Sequence, residues 1–312
     1  MNPQHPNSAS NSGRARSSTI TIVLATIGGL ALFSTFLLFI LTAIALRGGI
    51  SAVPEVTGDC IGVVPIEGVI SDPAKVLDAI QQFSQDDRVK AVVLRIDSPG
   101  GAVGASQEIF SAARRLDKEK PVVASLGNVA ASGGFYSAVG ARYIVSNPGT
   151  ITGSIGVIMK IPNLGRLMEK LGIKTTVLKS GRLKDLASVT RDLTEEERQV
   201  LQGVMDDVHD QFISDVAEGR GLDPSKVRAI ADGRIFSGRQ ALGLKLVDEL
   251  GGLQAAVNKA AEFAGMKGRP EVCYPRQDKL SVLRRILEES GARMVLRLAE
   301  LLSYAEIEAV PR

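Results

Sequence analysis

The chain has 312 residues, 45% of them hydrophobic and 23% charged, with a net charge of +3. This is the composition of an ordinary folded protein with one extra apolar segment, long enough for one large domain with appendages or for two modest ones. Basic residues alternate with acidic ones and form no run beside an aromatic platform, which excludes nucleic acid as a partner. Cys60 and Cys273 show no CxxC spacing, so no metal or redox motif is read. Two buried thiols are expected, a disulfide being the alternative in an oxidising compartment.

Residues 1–18, rich in Ser, Asn and Pro, read as a disordered tail. From Thr19 to Leu46 the chain carries no charge. That exceeds the ~20 residues a helix needs to cross the hydrocarbon core, and it exceeds the apolar region of a cleaved signal peptide. A transmembrane anchor is predicted over 19–46. Arg14 and Arg16 precede it and Arg47 alone follows closely, so the tail is placed in the cytoplasm and the body on the extracytoplasmic side. Residues 47–58 form a linker.

"CIGVVPIEGVI" reads as a strand and turn. Asp72-Pro73 opens a helix through "AKVLDAIQQFSQ", with Asp as N-cap and Pro at the first helical position. "VKAVVLRIDSPGG" is an apolar strand ending in a Gly/Pro turn. The helix "GASQEIFSAARRLDKE" follows, with Ile109, Phe110, Ala113 and Leu116 on one face. "PVVASLGNVAASGGFYSAVGA" repeats strand, glycine turn and helix, and "RYIVSNPGTITGSIGVI" adds short strands. Strands that alternate with helices and run apolar for most of their length predict an α/β fold with a sheet covered on both faces.

Residues 194–219 predict a long amphipathic helix opened by a capping box of Thr194 and Glu197. Leu201, Val204, Met205, Val208, Phe212 and Val216 line its apolar stripe. The organisation expected is one domain over 59–268 and a helical tail over 269–312. Within that tail, about 277–306, Leu280, Leu283, Ile286 and Leu287 stand among arginines, suited to core packing or subunit contact.

The stretch "NVAASGGFYSA" (128–138) sets Ser132 among residues too small to crowd it. A serine hydroxyl needs a base to become a nucleophile. His5 lies ahead of the membrane segment and His209 sits mid-helix in an acidic run, so neither suits the task. Lysine remains, since a Ser-Lys pair is a known variant, but its pKa near ~10.4 must fall by desolvation. Lys174, Lys179 and Lys184 in "GIKTTVLKSGRLKDLAS" are the candidates, and the residues alone do not choose among them. Gly133 and the glycines of "SPGG" (98–101) offer backbone N–H donors for an oxyanion, though each can equally be a structural turn.

Taken together, "RIDSPGGAV", "ASGGFYSA", "TITGSIGV", "KSGRLKDLAS", "TEEERQ" and "GRIFSGRQALGLKLVDELGG" resemble the signal peptide peptidase A family over roughly residues 59–262. These are membrane-anchored serine peptidases with a crotonase-like ββα spiral fold related to the Clp protease proteolytic subunit. The resemblance implies Ser132 as nucleophile, Lys184 as general base, Gly101 and Gly133 as oxyanion donors, and Ser154 as a support for the lysine. It implies no metal or organic cofactor, and remnant signal peptides as substrates. The short separation of Ser132 and Lys184 looks like the single-domain form, a homo-octamer whose neighbouring protomers bring Ser and Lys together. His209 departs from the pattern, standing where an aromatic is common. Two rivals remain: an acyl-CoA enzyme on the same fold, needing neither Ser132 nor Lys184, and a silent membrane scaffold.

Overall fold

The computed structural model describes residues 58–276, together with 28, 29 and 32–36. The chain divides into two units, Met1–Glu55 and Val56–Arg312. In the first, residues 28, 29 and 32–36 are helical, with Leu32, Phe33 and Phe36 exposed. Among the described residues no helix is long and apolar enough to cross a membrane. The tail 1–18, the rest of the apolar run 19–46, the linker to 57 and the segment 277–312 lie outside the described residues.

The second unit opens with three strand–helix repeats: β1 (Cys60–Ile70), α1 (Ala74–Gln85), β2 (Val89–Gly101), α2 (Val103–Asp117), β3 (Val122–Ala131) and α3 (Gly133–Ala138). There follow β4 (Tyr143–Ser146), β5 (Ile151–Gly153), α4 (Gly165–Lys170), α5 (Glu195–Arg220) and α6 (Pro224–Arg228). The unit closes with β6 (Ile235–Ser237), α7 (Gly238–Gly243), β7 (Glu249–Leu250), α8 (Leu253–Phe263) and β8 (Glu271–Cys273). The sheet runs in the order β6-β5-β3-β2-β1-β8, with β4 joined to β3 and β7. Only the β5–β6 pairing, among the described strands, is antiparallel.

A parallel sheet must be covered on both faces, and the apolar strands supply side chains to both. Ile61 and Val63 of β1 pack with Val257 and Ala260 of α8. Val64 and Ile66 join a second cluster with Ile109 and Leu116 of α2 and Phe212 and Val216 of α5. The two-faced cover expected from the sequence is therefore what forms.

Four expectations need adjustment. "SPGG" is not a turn but the last stretch of β2, where Gly100 and Gly101 lie opposite Val69 and Ile70. Because β1 extends to Ile70, a ladder partner is present and overrides the turn preference of Pro and Gly. Cys60 and Cys273 are not thiols but a disulfide, with Cα atoms 6.0 Å apart. The pairing of β8 with β1, which sets Cys60 opposite Glu271 and Gly62 opposite Cys273, carries the two cysteines together. The first helix begins at Ala74, so Pro73 stands at the cap, while the Asp72 carboxylate still accepts the Ala74 amide at 2.9 Å. Finally, the stripe of α5 is only partly core. Phe212 and Val216 are buried, but Val204 is exposed and Leu201, Met205 and Val208 are half-buried.

Candidate active site

β3 ends at Ala131 and α3 begins at Gly133, so Ser132 alone makes the strand-to-helix turn. Its backbone sits at φ 51°, ψ −121°, a region that favours glycine. Holding a serine there costs about 1–3 kcal/mol, and such strain persists where surrounding contacts over-determine it. Two of those contacts are visible. The Ser132 amide donates to Gly153 O at 2.8 Å, and Ser132 O accepts the Tyr136 amide at 2.8 Å. A sharp strained turn of this kind lifts a hydroxyl clear of the sheet.

The end of β2 runs alongside. A Cβ added at Gly100 would stand 2.6 Å from Gly133 N and 3.0 Å from Ser132 Cβ. Gly133 is wedged too, since a Cβ there would meet Ser106 Oγ at 2.3 Å and Gly101 N at 3.2 Å. At Gly101 a Cβ would fall 2.1 Å from Ile70 O, so β1 leaves no room for a side chain. The Gly133 amide, first in its helix, has no intrahelical partner. Two peptide N–H groups thus lie beside Ser132 with no side chain over them.

The structure therefore brings Ser132, Gly101 and Gly133 together, with the 153–154 peptide beside them. Ser154 also has a positive φ, 52°, and its amide donates to Arg234 O at 2.8 Å. Neither the Ser132 nor the Ser154 hydroxyl has a hydrogen-bond partner among the described residues. Lys184 makes no side-chain hydrogen bond to Ser132 among the described residues. It is exposed in a run of bends and turns over 180–187, its amide donating to Gly181 O at 3.1 Å. Lys174 and Lys179 line a different cavity, about 500 Å³, beside α4, with Met168, Ile173, Asp185 and Arg191. That larger cavity touches neither Ser132 nor the two glycines. His209 is half-buried, with Nε2 shielded and unpartnered, and makes no bond to Ser132.

Sequence reasoning missed the cleft next to the serine. Val103, Tyr136, Val157, Val208 and Phe212 line it. Tyr136 stacks on Phe212 with ring centroids 4.3 Å apart. Its hydroxyl donates to Asp215 and accepts from Gln107 Nε2 at 3.2 Å. Burial pushes the Tyr136 phenol well above its usual range, and the hydrogen bond to Asp215 adds to the effect. It stays a protonated donor, and the small cleft it helps to line, about 10 Å³, carries no charged side chain. Val208 and Phe212 had a signal in the helical stripe, but that pattern does not separate core from cleft.

The fold and site define a mixed α/β protein with a strained serine, two bare amides and an apolar cleft, equipped for acyl transfer to a hydroxyl. Residues 114–267 match peptidase family S49. A protease-named protein of Synechocystis is 42% identical over 251 residues, covering 78% of this chain and 90% of the relative. A signal peptide peptidase-named protein of Enterococcus faecium is 40% identical over 176 residues, 56% of this chain and 51% of the relative. Protease 4 of Salmonella typhi is 36% identical over 259 residues, 79% of this chain but 41% of the relative. The chain belongs to peptidase family S49, and the function its family supports is proteolysis.

Proposed function

We propose that the protein is a membrane-anchored serine endopeptidase with a Ser132–Lys184 dyad on a crotonase-like ββα spiral, cleaving remnant signal peptides and other peptides released from the membrane. The observation that carries this reading is Ser132, held at positive φ between β3 and α3 beside the Gly101 and Gly133 amides. Neutral Lys184 takes the proton of Ser132 Oγ, which attacks the scissile carbonyl carbon. The oxyanion is received by the N–H groups of Gly101 and Gly133. Lys184 returns the proton to the leaving amine as the C–N bond breaks. Water, deprotonated by Lys184, then attacks the acyl-enzyme, and as the ester C–O bond breaks Lys184 returns the proton to Ser132 Oγ, releasing a carboxylic acid. Ser154, next to the Gly153 carbonyl that accepts the Ser132 amide, is assigned to hold the lysine by a hydrogen bond.

Lys184 is exposed and makes no hydrogen bond to Ser132 in the single chain, and the base is assigned to a neighbouring protomer of a homo-oligomer, taken as an octamer. A run of uncovered apolar side chains supports this assembly: Ile158 is 79% exposed, Leu171 65% and Leu178 95%. Where such side chains form a contiguous patch, they mark a contact surface. The body is placed on the extracytoplasmic side, anchored by 19–46 with the N-terminus in the cytoplasm. The Cys60–Cys273 disulfide supports that side, since disulfides persist in oxidising compartments.

The test is labelling of the detergent-solubilised full chain with a serine-directed acylating probe, alongside Ser132→Ala and Lys184→Ala. Loss of labelling in both variants, with the assembly intact, is the expected result. Equal labelling in all three would remove the peptidase mechanism in favour of a scaffold.

A further inference from the structure

We propose that Arg191 is a positioning residue for the catalytic base, fixing the backbone that carries Lys184 by gripping Asp185. The inference rests on the assignment of Lys184 as base made above. Lys184 and Asp185 lie in consecutive turns with no helix or strand around them. The Lys184 side chain has no hydrogen bond among the described residues, so its place is set by its backbone.

Arg191 holds that backbone from one side and a rigid helix from the other. Its Nη2 donates to the Asp185 main-chain oxygen at 2.9 Å, and Nε and Nη2 donate to the Asp185 carboxylate at 3.1 and 3.0 Å. On the far side, Nη2 and Nη1 reach the two carboxylate oxygens of Glu197 at 2.6 and 2.8 Å. Nη1 also donates to Asp192 O at 3.1 Å. Glu197 is only 3% exposed and belongs to the capping box of α5, where its carboxylate also accepts the Thr194 amide at 2.9 Å. The five N–H donors of a guanidinium can serve all five of these oxygens at once, which the three of an ammonium cannot.

A second observation points the same way. Ala187, three residues beyond Lys184, sits at φ 61°. A left-handed backbone is unfavourable for alanine, so relaxed turns would not choose it. The segment is held in a defined conformation by its anchors, and the strongest of these grips the residue next to the base. Placing a reacting group by contacts remote from the chemistry is worth a great deal, since a displacement of about 1 Å can cost about 100-fold in rate.

The experiment measures kcat and KM on a fluorogenic peptide for the full-length assembly, with active sites counted by the end-point stoichiometry of the acylating probe. Wild type, Lys184→Ala, Arg191→Ala, Arg191→Lys and Asp185→Asn are compared. The expected result is a fall of about 100-fold in kcat per counted site for Arg191→Ala, with KM within about threefold. Arg191→Lys should recover little of it, and Asp185→Asn should fall by about tenfold. A salt bridge that served stability alone would reduce the number of counted sites and leave kcat per site unchanged. That outcome overturns the proposal. If Arg191→Ala does not assemble, Asp185→Asn decides on the same criterion, because it keeps the Arg191–Glu197 pair. An inactive Lys184→Ala beside full-speed Arg191→Ala or Asp185→Asn overturns the clamp alone, whereas an active Lys184→Ala overturns the base and the clamp with it.

Discussion

At Ser132 and Gly133 a single Cβ separates a working geometry from a blocked one. The Gly133 amide is useful only where it stands, and a Cβ on that residue would collide with Ser106 Oγ and crowd Gly101 N. Gly133→Ala puts a methyl 2.3 Å from Ser106 Oγ, so the backbone must shift and carry its N–H out of line. Ser106 cannot simply rotate away, being buried and bonded to Ala102 O at 3.0 Å. Loss of one oxyanion donor costs about 10²–10³ in turnover, so Gly133→Ala should lose kcat on that scale with little change in KM. The double variant Ser106→Ala/Gly133→Ala, with the obstructing oxygen gone, should regain part of it. Steady-state kinetics on a peptide substrate checks both, and wild-type kcat in Gly133→Ala would show that this amide does not face the oxyanion. The candidate serine and this glycine were legible in "ASGGFYSA" because small residues around a lone hydroxyl are a local pattern. The base was not: Lys174, Lys179 and Lys184 look alike in the chain. Resemblance alone chose Lys184, which makes no hydrogen bond to Ser132 within the single chain.

Among the elements, α5 shows how a helix end can serve two purposes. Thr194 and Glu197 form the capping box read from the sequence, with Thr194 Oγ1 accepting the Glu197 amide at 3.2 Å. The same Glu197 carboxylate takes the Arg191 fork, and this partner, ahead of the Thr194 amide, holds its pKa down to about 2 from 4.5. A carboxyl depressed by folding stabilises the native state above its unfolded pKa and loses that contribution as pH falls through the folded value. Glu197→Gln retains a capping-box side chain while removing the charge. The variant should therefore be less stable than wild type above pH 4.5, and the gap should close as pH falls from there toward about 2. Urea midpoints across that range check this, and a gap that stays constant would mean the charge is not what Arg191 holds. The cap was legible because it spans four residues. The Arg191–Asp185 grip was not, since charges six residues apart in turns follow no period. "SPGG" misled for a related reason: its turn chemistry is real, but the neighbouring strand that overrides it comes from 31 residues upstream, where β1 reaches Ile70 opposite Gly101.

For the whole molecule, the pairing that matters most is the one with the largest separation. Strand order, not local pattern, sets β8 against β1, so a disulfide across 213 residues left no sign in two isolated cysteines. The three-residue β8 forms the edge of the sheet, and without it β1 would present its open backbone to any passing strand. A loop this long removes much chain entropy from the unfolded state, and such a bridge contributes about 3–5 kcal/mol. Cys60→Ala/Cys273→Ala should accordingly unfold at a clearly lower urea concentration than wild type. Reductant should bring wild type down toward the double variant and leave the double variant where it was. The comparison also bears on where the protein works, because a thiol-rich compartment would keep it in the weaker form and an exported body would gain the bridge. If reductant moves neither protein, the bridge holds nothing that the sheet does not already hold. The argument for an oxidising compartment would then have to stand on the arginines ahead of the apolar segment.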